Sequence, residues 1–123
     1  MRRIAVSIVL SLTLCLTACT PIERTAYNTI VAAKAFLDKE KQAHPECPAA
    51  SSTLCSDLVK ATGAKDALID AIEVYCSGPE FENGGACQPP AKGTPAYDQA
   101  KAKLQAAISH YNQVAADLKG AAQ

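Results

Sequence analysis

Three times along the chain, apolar residues recur at alternating spacings of three and four, and proline or glycine closes each run. The clearest run is the last, Tyr97, Ala100, Leu104, Ala107, Tyr111, Val114 and Leu118. It opens on Thr94-Pro95, a capping residue followed by proline at the first helical position, and ends at Gly120, which predicts a helix over 95–119. The middle run is Leu54, Leu58, Ala61, Lys65, Leu68, Ile72 and Tyr75, with Ser51, Ser52 and Thr53 as possible caps. Gly78-Pro79 stops it beyond Cys76, so a helix is expected over 53–76. Lys65 is the misfit, its stem expected along apolar surface with the ammonium at the edge. The first run, Ile22, Ala26, Ile30, Ala33 and Leu37, is widened by Tyr27, Val31 and Phe36. Thr20-Pro21-Ile22-Glu23 has the form of a capping box, and Pro45 halts the run near Ala43, which predicts a helix over 21–43. Each helix is then about 35 Å long at 1.5 Å per residue. Equal lengths suit an antiparallel bundle, and Pro45, Pro48, Pro79, Pro89, Pro90 and Gly84-Gly85 between the runs disfavour one long coiled coil. The expectation is an all-α, antiparallel three-helix bundle forming a single domain.

Alanine fills 24 of the 123 positions, which favours helix and close helix approach but buries little apolar area per residue. A thin core of this kind is commonly reinforced by disulfides in exported domains. Cys55 opens the second helix and Cys76 closes it, about 30 Å apart, far beyond the reach of a bridge. Cys47 lies in the first connection beside Cys55, and Cys87 in the second beside Cys76. Two local bridges, Cys47–Cys55 and Cys76–Cys87, therefore follow.

Residues 1–18 have a charged start at Met1, Arg2 and Arg3, an apolar run from Ile4 to Leu14, and small residues before Cys19. That is the layout of an export signal, with an apolar run too short to span a bilayer stably. Leu16-Thr17-Ala18-Cys19 resembles the lipobox of bacterial lipoproteins. The resemblance covers only this segment and implies that the signal 1–18 is cleaved, that residues 19–123 form the mature protein, and that Cys19 carries the lipid. It further implies the cell envelope and, because Thr20 is not Asp, the periplasmic face of the outer membrane in a Gram-negative organism. Two or three acyl chains make such an attachment effectively permanent. With no flexible linker after Cys19, the bundle is expected close to the bilayer. The first helix would lead away from the membrane, so that the connection 77–94 faces it and residues 44–52, with the C-terminus, lie at the far end.

Basic and acidic residues balance at 12 each, and loss of Arg2 and Arg3 leaves a small acidic excess, so there is no electrostatic footprint for nucleic acid. A zinc site built from the cysteines and His44 lacks the short C-x2-4-C knuckle, and neither pair has the C-x-x-C redox spacing. His44, at the end of the first helix, suits the negative end of the helix dipole, whereas His110 flanks the third stripe as an edge residue. Neither has a nucleophile and an orienting group in a local motif. Asp66, Asp70 and Glu73 read as a solvated helix face, and Tyr27, Tyr75, Tyr97 and Tyr111 as core or seam residues. Phe81, the one large apolar residue of the 77–94 connection, is the candidate partner contact. No Walker loop, H-E-x-x-H or serine elbow occurs. The reading is a membrane-anchored accessory, scaffold or adaptor acting by protein contact, with an envelope protein as partner, no cofactor, no metal and no catalysis. The alternatives are a small-molecule or ion-binding envelope module and a homo-oligomeric structural lipoprotein.

Overall fold

The computed structural model describes residues 22–47, 49, 51–76 and 87–122. Three helices follow one another, α1 (Ile22–Ala43), α2 (Thr53–Cys76) and α3 (Pro95–Ala121), and no strand occurs among the described residues. Their ends have local causes. Pro45 disfavours helical backbone at His44, whose N–H makes one last bond to the Glu40 carbonyl at 3.0 Å. The Cys47 N–H then bonds back to the His44 carbonyl at 3.1 Å, closing a turn. Ser52 caps α2: its hydroxyl oxygen accepts from the Cys55 N–H at 3.1 Å, and its carbonyl accepts from the Ser56 N–H at 3.0 Å. At the other end of α2, the Gln88 N–H reaches the Cys76 carbonyl at 3.1 Å, so the chain beyond the second bridge satisfies an acceptor that the helix leaves open.

Thr94 caps α3 from an extended backbone (φ −98°, ψ 152°), its hydroxyl oxygen accepting from the Tyr97 N–H at 3.3 Å. The same hydroxyl donates to the Ala91 carbonyl at 2.6 Å. The turn before it uses Gly93 at φ +84°, a conformation that costs a side-chain-bearing residue more than glycine. At its far end α3 runs through Gly120 to Ala121 and so outlasts the expected stop at residue 119. A glycine ends a helix by turning left-handed; here the cap is Ala122 in right-handed geometry, its N–H bonded to the Leu118 carbonyl at 2.9 Å.

The core forms where the three stripes meet. α1 contributes Ala26, Ile30, Ala33 and Leu37; α2 contributes Leu58, Ala61, Ala64, Leu68, Ile72, Tyr75 and Cys76; α3 contributes Ala100, Leu104, Tyr111, Val114, Ala115 and Leu118. No polar or charged residue is buried among the described residues. The α2 stripe passes through Ala64 rather than Lys65, because positions 64 and 65 straddle the same line on the helix and only alanine enters without desolvating a charge. Lys65 is half-buried at the margin, its ammonium 3.0 Å from an Asp66 carboxylate oxygen. Tyr27 and Val31 do not widen the α1 stripe: both are exposed, because α1 presents one narrow face to its neighbours. His110 likewise stands exposed instead of covering the core edge.

Packing is uneven. α2 and α3 share the most extensive interface, α1 lies mainly against α2, and α1 touches α3 least. Two disulfides hold the ends of α2. Cys47 is bonded to Cys55 with Cα atoms 5.1 Å apart, and Cys76 to Cys87 with Cα atoms 4.4 Å apart. No helix among the described residues is long and apolar enough to cross a membrane.

Candidate functional site

Cys19 and Phe81 lie outside the described residues. The chemistry that can be located gathers in three places: the first bridged connection, a tyrosine pair between α2 and α3, and a groove between α1 and α3.

At the first connection, a Glu46 carboxylate oxygen and the sulfurs of Cys47 and Cys55 all lie within 4.8 Å of one another. The sulfurs are bonded to each other, so neither is a thiolate able to ligate a metal. His44 sits beside them, Nδ1 3.3 Å from Glu46 and Nε2 3.6 Å from Glu40. Its place just past α1 puts the imidazole at the negative end of the helix dipole between two carboxylates, an arrangement that holds the turn when the ring is protonated. The acidic face of α2 is dispersed: Asp66 is exposed and paired with Lys65, Asp70 is exposed, and Glu73 is half-buried and engaged by a neighbour.

Tyr75 is 2% exposed, and its ring lies 6.0 Å from that of Tyr97, tilted by 51°. Burial pushes the Tyr75 phenol well above its ordinary range, helped by the Tyr97 hydroxyl and the Glu23 carboxylate next to it. One oxygen of Glu23, Oε2, is shielded from solvent and has no hydrogen-bond partner. Lys101 stands 6.0 Å from the centroid of the Tyr97 ring. A pair of tyrosines next to a carboxylate joins residues distant in sequence, and the stripes alone carry no sign of it. Only the placement of Tyr75 and Tyr97 on their helical faces could be read in advance.

The groove follows from the weak contact between α1 and α3. It encloses about 480 Å³ between Thr25 and Phe36 of α1 and Tyr111 to Lys119 of α3, and it is open to solvent. Its lining is small and neutral, with buried Ala115 and exposed Ala32 and Ala116 alongside the amides of Asn28 and Asn112. The Thr29 hydroxyl donates to the Thr25 carbonyl at 2.7 Å, so that proton is committed within α1. Phe36 and Lys119 close one end, the ammonium 5.2 Å from the ring centroid, a cation–π contact. Tyr111 is 5% exposed, and desolvation raises its phenol above the ordinary value. Sequence reasoning missed this groove because its walls lie beside the stripes, at positions that read as surface. The available signal was Thr25, Asn28, Thr29 and Ala32, small and polar where a solvated helix face commonly carries long charged side chains.

No protein-family model matches the chain, and neither does any curated protein or solved structure.

Proposed function

We infer that the chain is a lipid-anchored envelope lipoprotein whose helical domain works by contact with a protein partner, without catalysis. The observation that carries the reading is an interval: only Thr20 and Pro21 stand between the lipobox cysteine, Cys19, and Ile22, the first residue of α1. So short a join leaves no tether, and the bundle rides on the bilayer surface. On this reading the helices run antiparallel in succession. Contact of Tyr75, near the end of α2, with Tyr97, near the start of α3, supports this arrangement, as does Glu23 of α1 beside Tyr75. Lys119 over Phe36, both toward the later ends of their helices, agrees with it. The bridged Cys47–Cys55 turn and the C-terminus then face away from the lipid, toward the partner, with the outer membrane as the anchoring surface in a Gram-negative organism. Exposed Val31, Val59 and Val74 supply apolar contact area on the sides of the bundle.

The test is in-cell crosslinking of the C-terminally tagged protein beside a Cys19→Ala variant. The expected result is reproducible capture of one envelope protein by the parent, and loss of both that capture and membrane retention in the variant. Unchanged retention and capture after Cys19→Ala would overturn the anchor and the contact role that depends on it.

A further inference from the structure

We propose that the groove between α1 and α3 is a binding site for a small amphipathic anion, a molecule with an apolar body and a single carboxylate or sulfonate head. The volume, about 480 Å³, is that of a small-molecule site, and the stretch from Thr25 to Phe36 gives it a length of about 16 Å. The sign of the ligand follows from the lining. Lys119 brings a cation to one end, and no acidic residue among the described ones lines the groove. An anionic head meets that ammonium without a competing carboxylate, and the adjoining Phe36 ring offers an apolar face to the body of the ligand.

Tyr111 supplies the second, independent observation. The residue is buried to 95%, lines the groove, and its hydroxyl makes no hydrogen bond among the described residues. The ring is packed away, but the hydroxyl is not among the buried polar atoms: it reaches the open groove, where its donor is free of any partner among the described residues. A phenol keeps its proton at neutral pH, so the hydroxyl donates to an acceptor on the ligand. The α1 wall favours a small ligand over a partner helix. A docked helix needs a continuous apolar strip to lie on, whereas this wall sets Asn28 and two threonines ahead of Ala32 and Phe36. The site is independent of the anchor and its protein partner.

The experiment is amide NMR titration of the full-length protein with two anionic probes, naphthalene-2-sulfonate for an aromatic body and decanoate for an aliphatic one. The neutral comparison is 2-naphthylmethanol. Saturable one-to-one shifts centred on the groove are expected with at least one anion, and about tenfold weaker binding of the neutral compound. Lys119→Gln should remove that preference. Tyr111→Phe should weaken the anion by about three- to tenfold, the measure of one hydrogen bond, with the melting temperature of the free protein unchanged. The better of the two probes identifies the body that the groove accepts. Absence of saturable shifts with both anions, equal binding of charged and neutral probes, or indifference to both substitutions would overturn the proposal.

Discussion

Tyr75 and Tyr111 are buried alike but held differently, and the difference is one of partners. Tyr75 rests against a second tyrosine and a carboxylate, while Tyr111 is packed away over its ring and brings its hydroxyl to the edge of a groove. In both, the folded state keeps the phenolic proton to a higher pH than the unfolded chain does. Their contribution to stability is thus complete below the unfolded value of 10.0 and is lost as the pH rises past it toward the raised folded values. Denaturant unfolding measured from about pH 8 to about pH 11.5 should give a flat stability followed by a fall that begins near pH 10. Tyr75→Phe should make that fall shallower. A stability flat across the whole range would show that the two phenols are not desolvated in the fold. At this scale the sequence was legible in part. It could show that Tyr75 and Tyr111 sit on apolar stripes, but Tyr27 beside the first stripe looked the same and is exposed.

A helix in this protein is a compromise between its ends and its middle, and α2 carries the clearest flaw. Gly63 lies inside α2 on the exposed side, and a methyl group built there meets nothing within 4 Å. Glycine at such a place contributes only backbone entropy to the unfolded state. Gly63→Ala should therefore raise the unfolding free energy by about 0.5–1 kcal/mol, read as a higher denaturant midpoint with the slope unchanged. Gly93 behaves in the opposite sense, because its backbone at φ +84° disfavours any Cβ even though the space is open. The ends of the elements were the most legible part of the chain. A hydroxyl cap or a proline acts within one turn of where it stands, so Ser52, Thr94 and Pro45 act locally whatever the rest of the molecule does. Gly120 shows the limit: glycine permits a left-handed stop but does not impose one.

For the molecule as a whole, stability is distributed between a core rich in alanine and two staples. The bridges close loops over sequence separations of 8 and 11 residues. In the chain-entropy account they contribute roughly 2.5 and 3 kcal/mol, a large share of the total for a small domain. Replacing Cys47 and Cys55 with serine should lower the unfolding free energy by about 2–3 kcal/mol, and the same change at Cys76 and Cys87 by a similar amount. Since α2 separates the bridges by about 30 Å, the combined variant should lose close to the sum, provided it still folds as a two-state unit. Equilibrium urea unfolding of the three variants measures this. A loss under about 0.5 kcal/mol at either bridge would show that the helices hold that end without it.

The sequence by itself determined the helices and the pairing of the cysteines, and the physical reason is range. Helical periodicity, capping and proline act over a few residues, and the length of α2 keeps Cys55 and Cys76 apart without reference to anything else. What lies between helices was decided only by tertiary packing. The core took Ala64 instead of Lys65, Tyr75 came to rest against Tyr97, and α1 leaned on α2 closely enough to leave a groove along α3. Each of these depends on the angle and distance at which one rod meets another. Those quantities come from the summed fit of many small side chains, and no local pattern in the chain encodes them.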